Sequence, residues 1–252
     1  MSDENLAEIR NEKAKKIQHP KGKLTAYERL DLLLDEGSFS EIDQHVASEE
    51  NPEGEAVITG TGTIHGRPVF VFSEDFSVMG GSLGEVVAKK ILKIMDHALE
   101  ARAPIIGIKD SGGARIQEGI SSLFGYAQIF KKNVEASGKV PQISVVVGPS
   151  AGGAVYSPAL TDFIFQVKDI GQLYVTGPAV VKTVTGEDVT FEELGGVEAH
   201  GTKSGVTHQV CETEEQAFEE IRYLMSFLPQ SSSQKPPMFI TCLLYTSDAA
   251  DD

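Results

Sequence analysis

The sequence contains little sulfur and no long apolar run. Only two of its 252 residues are cysteines, Cys211 and Cys242, and two are too few for a disulfide scaffold or a four-cysteine zinc site. No stretch of about 18 apolar residues occurs, so no membrane-spanning helix is predicted. The N-terminal segment is acidic, whereas secretory and mitochondrial leaders are basic. We therefore expect a cytoplasmic protein that does not enter a membrane.

Positive charge is also scarce. The chain has 22 Lys and Arg against 37 Asp and Glu, which gives a net charge of −15. General nucleic-acid binding needs an excess of cations against phosphate and is not expected. A local cationic patch could still hold a phosphorylated small molecule. With 40% apolar and 23% charged residues, the composition is that of a globular protein with one large domain or two small ones.

Motifs for metals and for nucleotide phosphates are missing as well. The sequence has no P-loop and no His-Glu-x-x-His motif, and its six histidines are scattered. We predict no metal site. Of the histidines, His200 and His208 lie near a plausible loop site, although hydrogen-bonded or surface histidines are the more ordinary interpretation.

The hydrophobic pattern predicts strands alternating with helices. After an amphipathic N-terminal segment, Thr25 and Glu28 form a capping box for a helix over residues 25–34, and Gly37 beyond it is the stop signal. Residues 56–59, 63–65 and 69–72 are β-rich, and Gly60, Gly62 and Gly66 between them predict a meander with tight turns. A second capping box, Ser82 with Glu85, predicts a helix with an apolar stripe. A third, Thr213 with Gln216, opens a closing helix over residues 213–228. The architecture expected from this alternation is α/β or a ββα spiral.

Three glycine pairs carry most of the chemical information. Gly80-Gly81, Gly112-Gly113 and Gly152-Gly153 each follow a predicted strand and precede a predicted helix. Backbone N–H groups at such turns are unpaired, and glycine lets a ligand approach them closely. They could hold a phosphate, a carboxylate or a developing oxyanion, or they could serve only as tight turns. For Gly112-Gly113-Ala114 and Gly152-Gly153-Ala154 together, the functional interpretation is favoured.

One segment offers a different chemistry. Residues 148–152 match Gly-x-Ser-x-Gly, the nucleophile elbow of α/β-hydrolases, with Ser150 at the centre. Asp162 or Asp188, with His200 or His208, would complete a triad on paper. A simpler alternative is that Ser150 caps the following helix. Because the motif is short and degenerate, the hydrolase is the minority hypothesis.

Several longer stretches, taken in order, resemble one enzyme family. They are residues 22–39, 75–85, 109–119 and 148–163, followed by Thr176-Gly-Pro, residues 192–196, His200 and residues 204–208. This set resembles the carboxyltransferase (beta) subunit of propionyl-CoA carboxylase and related acyl-CoA carboxylases. The resemblance covers roughly residues 20–230 and matches only the N-terminal of the family's two tandem domains. No biotinylation motif and no four-cysteine zinc ribbon are present.

The resemblance implies a fold, an activity and a site. The fold would be a crotonase-like ββα spiral of one domain, and family members form hexamers. The activity would move CO₂ from carboxybiotin, carried by a partner protein, to the α-carbon of a short acyl-CoA, propionyl-CoA in particular. By analogy with crotonases, backbone N–H groups of the second and third turns would hold the enolate oxygen. The implied catalytic set is Gly112, Gly113, Ala114, Gly152 and Gly153. The implied cofactor-binding set is Gly80, Gly81, Ser111, Arg115, Ala151 and Ala154.

The role of Arg115 is open, because it could pair with a phosphate, with Asp110 or with Glu118, or form only a structural ion pair. Ser150 is not expected to be a nucleophile, because relatives that resemble this chain often have cysteine there.

The same resemblance sets the domain boundaries and the alternatives. Residues 1–20 are expected to be a helical extension, 21–230 an acyl-CoA carboxyltransferase N-terminal domain, and 231–252 the start of a linker followed by a tail that does not resemble the family. A biotin-dependent decarboxylase acting on methylmalonyl-CoA or glutaconyl-CoA shares these motifs. A non-catalytic acyl-CoA-binding piece is a further alternative. Biotin carboxylase and the biotin carrier would be partners, since no ATP-site motif is present.

Overall fold

An eight-stranded sheet organises the chain, which the computed structural model describes over residues 3–238. Its strands are β1 Ser40–Ile42, β2 Val57–Ile64, β3 Arg67–Glu74, β4 Ile105–Ser111, β5 Gln142–Ala151, β6 Phe163–Val167, β7 Gln172–Tyr174 and β8 Gln209–Cys211. Over the same residues the α-helices are α1 Asp3–Gln18, α2 Ala26–Leu33, α3 Glu85–Ala101, α4 Ile120–Ala136, α5 Gly153–Ala159, α6 Pro178–Thr185, α7 Phe191–Gly195 and α8 Glu214–Met225. The α/β class predicted from the sequence is confirmed.

The sheet is mixed, and its parallel part creates one chemically important edge. The strand order is β1-β2-β3-β4-β5-β6-β8, with β7 pairing to the end of β5. Strands β1 to β3 are antiparallel, whereas β3, β4, β5, β6 and β8 run parallel. The carboxyl ends of these strands therefore meet at the same edge, which is where open α/β sheets bind ligands.

Helices cover both faces of the sheet. Helices α2 and α8 pack on one face, and α3 and α4 pack on the other. The predicted apolar stripe of α3 is confirmed, because Val87, Ile91, Ile94, Met95 and Ala98 are all buried. Each large apolar side chain of this kind contributes roughly 1.5–3 kcal/mol by leaving water.

The predicted helix starts have mixed outcomes. Thr25 and Glu28 form the expected capping box, and the predicted bounds are confirmed, because α2 has Thr25 as its N-cap and Leu34 as its C-cap. Gly37 lies three residues beyond that C-cap. The Ser82–Glu85 box is wrong, because α3 begins at Glu85 with Gly84 as its N-cap. The backbone at Leu83 is extended instead and pairs with Ala114. At α8, the Thr213 side chain accepts the Gln216 N–H, but the Gln216 side chain accepts the N–H of Glu212, so the box is only half formed.

The meander predicted at Gly60 and Gly62 is wrong, because both glycines lie inside the continuous strand β2. Their function is close packing. A Cβ on Gly60 would lie 2.4 Å from the Ser40 carbonyl oxygen, and one on Gly62 would lie 2.8 Å from Leu34. Only Gly66 makes a turn, with a φ of 72° between β2 and β3.

The expected linker begins against the domain. Gln230 and Ser231 are buried, and the Ser232 N–H donates to the Lys139 carbonyl at 2.9 Å. The tail predicted not to belong to the fold lies mainly in residues 239–252, outside the described residues.

Within residues 3–238, no helix combines the length and apolarity needed to cross a membrane.

A buried lysine in α3 gives the first testable prediction. Lys90 is 1% exposed and donates to the Val57 carbonyl at 3.2 Å. Burial, followed by the charge of Arg10, lowers the pKa of Lys90 to about 8 from an ordinary 10.5. Between pH 8 and pH 10.5 the unfolded chain binds more protons at Lys90 than the folded protein does. The free-energy cost of burying the charged lysine is therefore full below pH 8 and decreases as the pH rises. We predict that Lys90→Met raises the free energy of unfolding at pH 7 by about 1–3 kcal/mol, and that this gain shrinks between pH 8 and 10. Urea unfolding across that range measures the difference.

The control is Lys93→Met in the same helix, since Lys93 is about half exposed and pairs with Asp43. Its effect should not change over this pH window. A Lys90→Met effect that is constant from pH 7 to pH 10 would contradict the prediction.

Candidate functional site

The three glycine turns predicted from the sequence meet at the carboxyl edge of the sheet. Gly80-Gly81 follows β3, Gly112-Gly113 follows β4 and Gly152-Gly153 follows β5. The Gly112 N–H donates to the Gly80 carbonyl at 2.9 Å. A Cβ on Gly113 would lie 2.7 Å from the Ala151 carbonyl oxygen. The turns are therefore in direct contact, and Gly113, at a φ of 102°, has room only for glycine.

Ser111 joins two of these turns. Its hydroxyl, which is buried, donates to the Gly81 carbonyl at 2.6 Å and accepts the Gly113 N–H at 3.1 Å. A Cβ on Gly81 would lie 2.1 Å from the Asp110 carbonyl oxygen, so the first turn packs directly on the end of β4. Ser111 was expected to contact a cofactor, and its hydrogen bonds place it behind the turns as their connection.

The second turn departs from the sequence prediction on its C-terminal side. The helix expected after Gly112-Gly113 is present as α4, but it begins only at Ile120, after a short 3₁₀ turn at Ile116–Glu118, and not directly after the glycines. In place of a helix, Ala114 pairs with Leu83. The Leu83 N–H donates to the Gly113 carbonyl and the Arg115 N–H donates to the Leu83 carbonyl, both at 2.9 Å. The Ala114 N–H therefore points to the opposite side, away from Leu83.

The third turn matches the sequence prediction. Gly152 is the N-cap of α5, and its N–H donates to the Tyr174 carbonyl at 3.1 Å. Gly153 and Ala154 are the first two helical residues, whose N–H groups have no acceptor within a helix. The ring of Tyr126 supports this turn from below, 2.6 Å from where a Cβ on Gly153 would lie. Burial raises the pKa of Tyr126, so its hydroxyl stays neutral.

Arg115 makes the structural ion pair that the sequence left as one option. Its guanidinium donates to Glu55 at 2.8 Å, to Glu118 at 2.9 Å and to the Ser82 carbonyl at 3.2 Å. The side chain is 3% exposed. Burial opposes the charge, but the hydrogen bond and charge of Glu55 raise the pKa of Arg115 above its ordinary value. The charge is thus satisfied inside the protein, where it fixes the segments that lead into α3 and α4.

Ser150 does not stand in a hydrolase triad. It is fully buried in β5, and its hydroxyl has no hydrogen-bond partner among residues 3–238. His200 bonds to the Leu173 carbonyl and to Ser204, while His208 accepts the Ile164 N–H. The alternative in which Ser150 caps α5 is wrong too, because the N-cap is Gly152 and no side chain caps it.

Over the described residues no group of three or more His, Cys, Asp or Glu is arranged to hold a metal ion.

Beneath the turns lies a buried ionic cluster that the sequence analysis did not find. Asp110 at the end of β4 accepts from Lys23 at 2.6 Å, from Arg29 at 2.9 Å and from Gln18 at 3.2 Å. Arg29 also donates to Glu214 at 2.6 Å. These partners are 81 to 185 positions apart in the sequence, and so no local spacing brings them together. The one local indication is that an apolar strand ends in the charged and polar residues Lys109, Asp110 and Ser111.

Burial acts differently on the members of this cluster. Burial lowers the pKa of Lys23 and raises the pKa of Glu214. For Arg29, burial also works against the charge, but Asp110 and Glu214 raise its pKa above the ordinary value. Arg29 therefore stays charged and is the cation on which the cluster depends.

Comparison with known proteins gives one consistent result. Residues 17–245 match the carboxyl transferase domain family. The propionyl-CoA carboxylase carboxyltransferase subunit of Haloferax mediterranei is 58% identical over 228 residues, which are 87% of this chain and 44% of that protein. The methylmalonyl-CoA decarboxylase subunit alpha of Veillonella parvula is 52% identical over 94% of this chain and 49% of its own length.

Solved structures agree with the sequence comparison. The crystal structure of transcarboxylase 12S, a hexamer assembly with methylmalonyl-coenzyme A and methylmalonic acid bound, superposes with a TM-score of 0.89 at 46% identity. The match covers 94% of this chain and 49% of the transcarboxylase chain. The crotonase-like fold expected from the sequence is thus confirmed. The chain spans about half the length of the curated relatives it matches.

The ionic cluster under the turns leads to a stability prediction. Asp110→Asn removes the carboxylate that faces two buried cations, and breaking a buried ion pair by removing one partner costs about 3–5 kcal/mol. We expect a loss of that size in the free energy of unfolding, measured by urea at pH 7. The control is Asp188→Asn, which removes the exposed partner of Lys182 and should change stability by less than about 0.5 kcal/mol. A loss below about 1 kcal/mol for Asp110→Asn would show that the cluster contributes little.

Proposed function

The chain belongs to the carboxyl transferase domain family, and from that premise we propose that it is the acyl-CoA-binding half of a carboxyltransferase subunit. The reaction is transfer of CO₂ from carboxybiotin to the α-carbon of a short acyl-CoA, with propionyl-CoA the favoured substrate. The observation that carries the proposal is the contact between two backbone turns whose outward N–H groups belong to Ala114 and Gly153. Such donors suit an anion that develops on a thioester oxygen.

Hydrogen bonds within the turns reduce the number of backbone N–H groups that remain available to a thioester oxygen. The Gly113 N–H is occupied by Ser111 and the Gly152 N–H by Tyr174. Ala114 and Gly153 are left to face the substrate, and the Ala154 N–H lies next along the helix. Removal of one such donor costs about 3–4 kcal/mol of transition-state stabilisation in measured oxyanion holes. Backbone donors held by a sheet need no reorganisation when charge develops, which is why they suit this task.

Among residues 3–238, the polar side chains that lie behind the turns are not placed to act as an acid or a base there. Asp110, Arg115 and Ser150 are buried behind them, and the first two are in ion pairs. Carboxybiotin, delivered by a carrier protein, would supply CO₂ and the base for the α-proton when bound. The role of this domain is to bind the thioester, orient its carbonyl oxygen and stabilise the enolate. No metal is assigned to these steps.

The surface beside the turns supports assembly with another domain. Ile116, Ile120, Leu123 and Phe124 are 60–88% exposed and follow directly on Arg115. An exposed apolar surface next to a site is typical of an interface. Partners in the proposal are therefore further copies of the subunit, in a hexamer like that of transcarboxylase 12S, together with the biotin carrier and biotin carboxylase.

A decarboxylase is the second candidate. The Veillonella relative is a methylmalonyl-CoA decarboxylase subunit at 52% identity, and the same oxyanion donors serve an enolate formed by loss of CO₂. The serine hydrolase is disfavoured, because a nucleophile must be accessible and paired with a base.

Binding of acyl-CoA tests the proposal directly. We predict that the chain binds propionyl-CoA in isothermal titration calorimetry and does not release free CoA from it. Ser150→Ala should bind equally well, because the Ser150 hydroxyl is buried and has no partner among the described residues. A folded protein that binds no short acyl-CoA would contradict the proposal. Hydrolysis that disappears in Ser150→Ala would support the hydrolase instead.

The Ser111 link between the turns gives a second test. Ser111→Ala removes both hydrogen bonds that join Gly81 to Gly113, so the Ala114 N–H should lose its fixed direction. We expect propionyl-CoA affinity to fall about three- to tenfold, and stability to fall by about 1–2 kcal/mol. The control is Ser157→Ala, which removes an equally buried hydroxyl that donates to Asn133 at 3.1 Å. It should lose a similar stability without losing affinity, and an equal loss of affinity in both variants would contradict the prediction.

A further inference from the structure

A lysine without a carboxylate partner among residues 3–238 lies beside the first glycine turn. Lys21 is exposed, and its ammonium nitrogen lies 5.1 Å from the centroid of the Phe76 ring. Most lysines and arginines of the described chain are in ion pairs, and Lys21 forms none there. In a chain of net charge −15, a cation that stays uncompensated next to a site needs an explanation.

Phe76 places this charge at the rim of the site. Phe76 follows the end of β3, and its ring lies 4.0 Å from where a Cβ on Gly80 would be. The Gly80 carbonyl in turn accepts the Gly112 N–H. Lys21 is therefore separated from the turn that carries Ala114 only by one aromatic ring and one glycine. A cation over a ring face within about 6 Å is attracted to it, which holds the flexible lysine at this position.

The neighbouring charged groups are already engaged. Lys23 lies 5.1 Å from the same ring, but it is buried and its charge is met by Asp110. Asp75, next to Phe76, accepts from the Ser77 N–H and hydroxyl. His19, in the same 3₁₀ turn as Lys21, bonds to Glu28. Within the described part of the chain, Lys21 is thus the cation at this rim whose charge is available to a ligand.

We propose that Lys21, held on Phe76, binds a phosphate group of the CoA thioester whose acyl end lies at Ala114 and Gly153. The inference rests on the proposed function, since the same ligand occupies both parts of the site. It adds an anion-binding subsite formed by Lys21, Phe76 and the Gly80 turn. The ligand class is a phosphorylated pantetheine thioester, and the phosphates contribute affinity while the backbone turns select the thioester.

The test compares two ligands that differ in phosphate. Calorimetry at low ionic strength is performed with propionyl-CoA and with S-propionyl-pantetheine, which has the same thioester and no phosphate. Lys21→Gln should weaken propionyl-CoA binding about three- to tenfold, the range for one net hydrogen bond or ion pair at an exposed site. It should leave S-propionyl-pantetheine binding unchanged. Phe76→Leu keeps the charge but removes the ring and should produce a smaller loss in the same direction.

The matched control is Lys139→Gln. Lys139 is also exposed, but it precedes β5 and therefore lies at the opposite, amino edge of the sheet. This variant should bind both ligands as the unchanged protein does. Raising the salt concentration should narrow the difference between Lys21→Gln and the unchanged protein, because ions screen an exposed charge.

Each of the remaining outcomes contradicts either the phosphate subsite or the proposed function. If Lys21→Gln binds propionyl-CoA as tightly as the unchanged protein, the phosphate subsite is wrong and the proposed function stands. Equal weakening of both ligands would show that Lys21 supports the fold and does not contact phosphate. If the unchanged protein binds S-propionyl-pantetheine as tightly as propionyl-CoA, phosphates contribute nothing and the subsite is wrong. If it binds neither ligand, the proposed function fails and this inference fails with it.

Discussion

The buried carboxylate of Asp110 ties the carboxyl end of β4 to the N-terminal helices. Asp110 is the residue before the last in β4, and it bonds to Gln18 of α1, to Lys23 and to Arg29 of α2. Through Arg29 the same cluster reaches Glu214 at the start of α8. Ser111 and Gly112-Gly113 come directly after Asp110 in the chain. The N-terminal helices and the closing helix therefore determine, through one side chain, where the turn with the Ala114 N–H begins.

A buried ionic cluster costs desolvation free energy, and what it contributes in return is a fixed geometry. The free-energy penalty of desolvating the ions often exceeds the gain from their attraction. Apolar side chains could therefore replace them with little loss of stability. Apolar side chains would not, however, prescribe a direction. The forked guanidinium of Arg29 reaches Asp110, Glu214 and the Val147 carbonyl together, which sets the relative positions of β4, β5 and α8. Gly148 is part of the same arrangement, because a Cβ there would lie 1.9 Å from Asp110.

Local features of the fold could be predicted from the sequence, and features that depend on distant partners could not. The Thr25–Glu28 capping box and the apolar stripe of α3 were found because both follow from spacing within a few turns of helix. The Ser82 cap failed because Leu83 is needed for pairing with Ala114, thirty-one positions later. Gly60 and Gly62 were misplaced as turns because the contacts that require glycine come from residues 34–40. The glycine pairs themselves were found, but which of their N–H groups remain available depends on Ser111 and Tyr174.

The separation between buried, paired cations and backbone donors explains how an acidic protein would present the proposed anion-binding site. Three of its buried cations, Lys23, Arg29 and Arg115, are paired with carboxylates and serve to position strands and helices. In the proposal, the groups that face an anion are backbone N–H dipoles, which carry no net charge and stay fixed by the sheet, and the ammonium of Lys21 at the rim. Backbone donors gain their strength from fixed orientation in a partly water-excluded site. In the proposed function their effect depends on the rigidity of the edge and not on the net charge of the protein, so a chain of −15 would stabilise the enolate through fixed backbone dipoles.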